Sequence, residues 1–142
     1  MVTVTFASGL AGGLVATIAM TVFMLALGDD SPPPTAALWA KFVGDEGPES
    51  YVPQGMLLHV LYGVGAGVAF ALALPLAVGE VTLVNAVGLA VAYAAVLTVV
   101  GAVVWMKGVL GMDPGRATAM QFGFFHLVYG LVLGGFVGAG LV

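Results

Sequence analysis

The sequence predicts an all-α integral membrane protein, a four-transmembrane-helix up-down bundle with a two-helix parallel internal repeat. Three observations carry that reading. Hydrophobic residues make up 61% of the 142 and charged residues 7%, against about 25% charged in a soluble domain, so the chain cannot cover itself with a hydrated surface. The apolar residues gather into four runs, each longer than the ~20 residues that a helix needs to cross a bilayer. The pattern His-x-x-Tyr-Gly-x-x-x-Gly occurs twice, at 59–67 and 126–134, and uses the only two histidines of the chain.

The first span is expected at 4–27. Gly9, Gly13 and Thr17 recur at four-residue spacing, with Ser8, Gly12 and Ala16 beside them. Small residues four apart let helix backbones approach closely, which is how apolar helices associate in lipid. Thr17 and Thr21 can return their hydroxyls to backbone carbonyls. Three consecutive prolines, Pro32 to Pro34, end the helix, since proline lacks the N–H that would continue it. A short interfacial segment follows at 35–43, with Thr35 as N-cap, Gly44 as stop and Leu38, Trp39 and Phe42 on one side. An extended loop with Trp39 at the interface is the alternative.

The second span is expected at 53–78, with Pro53 in the first turn and Pro75 near the far end. Gly79 and Glu80 leave room only for a tight hairpin. The third span is expected at 81–106, carrying Asn85 near its start, Tyr93 near its middle and Trp105 before Lys107 as an interface anchor. Asp113-Pro114-Gly115 makes the next turn. The fourth span is expected at 117–141 and carries Gln121. Together the spans form a single transmembrane domain over 1–142.

Four crossings put the segments 29–52 and 107–116 on one side and both termini on the other. Lys41, Lys107 and Arg116, the only basic side chains, lie in or beside those two connections. The positive-inside tendency therefore predicts cytoplasmic connections and extracytoplasmic termini, in a multi-pass protein of the cell membrane. Net charge is −4, and the acids (Asp29, Asp30, Asp45, Glu46, Glu49, Asp113) crowd the connections. Acid-rich, lysine-poor exposed segments suit a high-salt cytoplasm, where self-repulsion is screened, and predict a halophilic source. No basic patch serves nucleic acid. No cysteine offers a thiolate site.

On a helix, His59, Tyr62, Gly63 and Gly67 share one face, as do His126, Tyr129, Gly130 and Gly134, with Gly138 one further step on. Each stripe has a polar end and a smooth end. The matched glycines predict that the second and fourth spans pack face to face through Gly63, Gly67, Gly130, Gly134 and Gly138. Tyr62, Tyr129, Asn85 and Gln121 are the other intramembrane polar candidates. The faces of the first span, together with Gly88 and Ala92 of the third, predict a homo-oligomer or a membrane-complex partner.

An ionisable side chain inside the membrane is a functional candidate by default. Three readings of His59 and His126 stand. In the first, they are register locks between the second and fourth spans of an accessory or scaffold subunit. In the second, they titrate or bind cargo near one mouth of a small transporter or channel-like oligomer. In the third, they are cofactor-binding residues, the axial ligands of a haem b held between helices. Two histidines are too few for a closed zinc site. No nucleophile with a paired base, phosphate loop or intramembrane carboxylate pair is present, so the sequence leans away from an enzyme.

His59-Val60-Leu61-Tyr62, Met112-Asp113-Pro114 and Gly123-Phe124-Phe125-His126-Leu127-Val128-Tyr129 together resemble the YagU-type inner-membrane proteins. That resemblance implies a four-helix integral membrane protein and carries over no catalytic residue.

Overall fold

The computed structural model describes residues 1–142 as 78% helix without strands. Five helices follow in order: α1 Phe6–Leu27, α2 Pro34–Phe42, α3 Val52–Ala77, α4 Leu83–Val99 and α5 Arg116–Gly138. A 3₁₀ turn at Pro48–Tyr51 leads into α3, and α4 runs on as a π-helical segment, Val100–Val109. With those two extensions included, α1, α3, α4 and α5 are long and apolar enough to cross a membrane. The protein is a small polytopic membrane protein.

The helix ends follow local chemistry. Thr5 caps α1 in a reciprocal box with Ser8 (Ser8 N to Thr5 Oγ1 3.1 Å, Thr5 N to Ser8 Oγ 3.1 Å). Thr82 and Asn85 make the same box on α4, and these bonds satisfy N–H groups that a helix start leaves free. Asn85 also donates to the Glu80 carbonyl at 2.7 Å. It is thus a cap at the hairpin and not an intramembrane polar site. Pro75 falls in the last turn of α3, which ends two residues later. The interfacial segment is helical, but its N-cap is Pro33. Thr35 lies inside the first turn, and its buried hydroxyl has no partner. Ala36 of α2 seats on Gly55 of α3, where an added Cβ would lie 2.5 Å from the Ala36 nitrogen. Gly55→Val is therefore expected to detach α2. Limited proteolysis between residues 28 and 51 would read this as faster cleavage with the four spans intact.

Around the bundle the neighbours are α3–α1, α1–α5 and α5–α4, while α3 and α4 meet only loosely. The second and fourth spans, α3 and α5, are therefore diagonal, which corrects the expected face-to-face glycine contact. Each glycine stripe packs instead on the first span of its own hairpin. A Cβ on Gly67 would strike the Gly13 Cα and lie 2.7 Å from the Gly9 carbonyl oxygen, and one on Gly63 would strike the Thr17 hydroxyl. In the other hairpin, a Cβ on Gly130 would lie 2.7 Å from Ala94 Cβ, one on Gly134 2.8 Å from the Ala86 oxygen and one on Gly138 2.8 Å from Ala86 Cβ. The same packing thus recurs, with Gly9, Gly13 and Thr17 in one hairpin and Ala86, Ala90 and Ala94 in the other. The reason is geometric: consecutive spans joined by a connection are antiparallel neighbours, and small residues on both let the backbones close.

The first span is spent on these contacts. Gly9 and Gly13 face α3, and Gly12 faces Phe136, Leu133 and Val137 of α5. Its small-residue faces are covered within the bundle and are not the free surfaces on which self-association was expected.

Candidate functional site

The bundle is zipped on the side of the termini and open on the side of the connections. Between α1, α3, the end of α4 and α5, rimmed by the 28–35 and 112–115 segments, lies a vestibule of about 890 Å³. Both histidines line it, with Thr17, Tyr62, Gln121 and Tyr129, and so do Leu58, Leu97, Met106 and Phe125. Mostly apolar walls with a few convergent polar groups are the usual make-up of a small-molecule site.

Tyr129, Gly63 and Ala66 line its inner end, and an interhelical hydrogen bond reaches each of the two carbonyls there. The Tyr129 hydroxyl of α5 donates across the diagonal to the Gly63 carbonyl of α3 at 2.6 Å. The Tyr93 hydroxyl of α4 donates to the Ala66 carbonyl of α3 at 3.0 Å, and its ring lies 5.5 Å from that of Phe70. Tyr129 is 2% exposed. It stands roughly 20 Å along α5 at 1.5 Å per residue, so the vestibule runs past the middle of a ~30 Å hydrocarbon layer.

The histidines are held differently. His59 Nε2 lies 3.2 Å from Thr21 Oγ1. The single Thr21 hydroxyl proton goes to the Thr17 carbonyl at 2.7 Å. Thr21 can then only accept from the ring, so neutral His59 carries its proton on Nε2 and leaves Nδ1 bare. His126 Nδ1 lies 2.9 Å from the Phe122 carbonyl of its own helix. A carbonyl only accepts, so neutral His126 carries its proton on Nδ1 and leaves Nε2 bare. Each imidazole thus keeps one lone pair without a protein partner, and both rings line the same cavity.

The two His-x-x-Tyr-Gly motifs do join the second and fourth spans, through Tyr129 and Gly63, but the histidines are not the lock that was expected. His59 ties α3 to α1, and His126 ties to nothing beyond α5. The group that joins the second and fourth spans is Tyr129. Tyr62, its counterpart in the first motif, makes no side-chain hydrogen bond and is 45% exposed. Gln121 donates to the Leu27 carbonyl at 2.7 Å. It therefore closes the end of α1 at the mouth of the vestibule, satisfying one of the carbonyls that a helix terminus leaves free.

Sequence reasoning missed Tyr93 as the tie from α4 to Ala66 of α3, Thr21 as the partner of His59, and the π-helical wall. In that wall Gly101 lies under the Phe122 ring, 2.6 Å from an added Cβ, and Trp105 and Met106 line the cavity. One signal was available for the threonine. Gly9, Gly13, Thr17 and Thr21 run parallel to Ala86, Ala90, Ala94 and Thr98, and Thr98 donates to Ala94 as Thr21 does to Thr17. No signal marked the π segment, because its bonding depends on what the helix packs against.

No protein-family model matches the chain, and comparison with curated proteins and with solved structures returns no match.

Proposed function

We propose that the protein is a membrane-embedded binding protein of the transporter type, whose vestibule receives a small cargo at His59 and His126. One observation carries this reading: both imidazoles line one cavity, floored by Tyr129 on the side of the termini, and each keeps a nitrogen without a protein partner. Positive-inside placement makes the side of the connections cytoplasmic. A lock would instead have spent both rings on neighbouring helices, and His126 is not so spent.

Reconstituted into liposomes, the protein is expected to carry proton or solute flux that His59→Ala and His126→Ala each reduce about tenfold or more, the scale of a lost polar contact near 1.4 kcal/mol. A thermal-stability loss in both variants, with no flux in any form, would return the histidines to a structural role in an accessory subunit. That role, in a scaffold with a partner or a second copy, draws support from Gly65, Gly88 and Gly135. A Cβ on any of these would meet nothing within 4 Å.

A second reading is favoured by the same pair of bare nitrogens. Neutral imidazoles are haem ligands, and the walls are apolar. Protein from its native host, with haem supplied, is then expected to show a Soret band that His59→Ala and His126→Ala abolish. A colourless preparation removes this reading. Kinship with the YagU-type proteins is proposed on the motif residues alone.

A further inference from the structure

We infer that the vestibule is loaded sideways from the bilayer, through the seam between α3 and α4, by an amphiphile with an uncharged or cationic head that donates hydrogen bonds. This deepens the binding reading and rests on it.

The seam is the one open side of the bundle. The two hairpins pack alike, so the α1–α5 seam and the α3–α4 seam occupy equivalent places. The first is closed: Gly12 and Ala16 stand in it, Ala16 fully buried and Gly12 under Leu133 and Phe136. The second is not. At the equivalent positions of α4, three residues after Ala86 and one before Ala94, stand Leu89 and Tyr93. Tyr93 reaches across to Ala66 and Phe70, and with these larger side chains in the seam α3 and α4 meet only loosely. Leu61, Tyr62 and Trp105 all line the cavity and remain 59%, 45% and 39% exposed. These exposed lining residues, Leu61 and Tyr62 on α3 and Trp105 on the π segment, stand on the two sides of the loose α3–α4 seam and are assigned as its lips.

The lining states the chemistry of the occupant. Apolar walls suit a hydrocarbon tail. His59 Nδ1 and His126 Nε2 accept hydrogen bonds and, while neutral, offer none at those atoms. Asp29 and Asp113 stand at the mouth, and no lysine or arginine is in the lining. An anionic head would meet acids and lone pairs with no cation to offset them, whereas an alcohol or amine finds acceptors.

The test uses the full chain in phosphatidylcholine nanodiscs and a long-chain alcohol with a benzophenone in its tail. The carboxylate of equal length serves as the comparison probe. The chain has no cysteine, so Leu61→Cys with Trp105→Cys supplies a unique thiol pair to be bridged by a short bis-maleimide. Saturable alcohol labelling is expected at Leu61, Leu97 and Trp105. It should be at least about tenfold above carboxylate labelling, fall to a similar degree in the His59→Phe/His126→Phe double variant, and be lost on bridging. Labelling is read only for variants whose thermal unfolding matches the parent's, and the labelled positions in the unmodified chain give a readout that needs no variant. Histidine-dependent labelling that survives bridging would overturn the lateral route and leave the vestibule reading standing. Equal labelling by the carboxylate would overturn the head chemistry. Absence of saturable labelling in the vestibule of folded protein would overturn both the inference and the reading beneath it.

Discussion

Gly67→Leu is expected to destroy the folded bundle. A Cβ at this position already collides with Gly13 Cα and lies 2.9 Å from the Gly13 nitrogen and 2.7 Å from the Gly9 oxygen. All three are backbone atoms of a neighbouring helix, so no side-chain rotation relieves the clash, and α1 must separate from α3 along its length. Overpacking of this kind costs about 3 kcal/mol or more, a large share of the stability of a small domain. Gly134→Leu meets Val87 Cα at 2.6 Å and the Ala86 oxygen at 2.8 Å, and is expected to open the other hairpin to a similar extent. Two controls separate packing from mere bulk. Gly65→Leu enters open space and should leave the unfolding midpoint of detergent-solubilised protein nearly unchanged. Leu131→Ala removes a side chain that is 47% exposed on the lipid-facing side and should be mild. If Gly67→Leu unfolds no earlier than Gly65→Leu, the α1–α3 contact described above is wrong.

Tyr129→Phe is expected to destabilise the protein by about 1–2 kcal/mol, the cost of leaving a buried acceptor unpaired, while Tyr62→Phe should be neutral. The two tyrosines occupy the same place in the two motifs, so sequence treats them alike. The structure separates them: the Tyr129 hydroxyl is buried and holds the Gly63 carbonyl at 2.6 Å, whereas the Tyr62 hydroxyl holds nothing. Because Tyr129 is the floor of the vestibule, its loss should also raise hydrogen exchange at the Gly63–Gly67 amides, which a purely local change near α5 would not do. Equal effects of the two substitutions on unfolding would remove Tyr129 from that role.

Much of the fold was legible because lipid leaves few options. A backbone in hydrocarbon must satisfy its own hydrogen bonds, so four long apolar runs read directly as four helices. Proline and glycine clusters marked where they stop, and the spans at 4–27, 53–78 and 117–141 differ from α1, α3 and α5 by no more than three residues at either end. The third differs in kind, ending as a π segment. The small-residue stripes were legible too, as surfaces that some helix must cover. Which helix covers them was not. The match between the two motifs pointed to mutual contact of the second and fourth spans. In the bundle, each stripe is covered by its antiparallel neighbour, leaving those two spans on a diagonal.

By itself, then, the sequence determined that this is a membrane protein with four spans. It also determined, to within three residues, where three of those spans begin and end, and that each of two spans carries a histidine and a tyrosine one turn apart. Those facts follow from composition and local backbone chemistry, which act along the chain. Only the tertiary structure decided that His59 bonds to Thr21 while His126 turns to its own helix, that Tyr129 and not Tyr62 bridges the diagonal, and that α3 and α4 part to open a cavity. The last of these goes with which of two equivalent seams receives Gly12 and Ala16 and which receives Leu89 and Tyr93. The volume of a side chain becomes a gap or a contact only when a second helix is set against it.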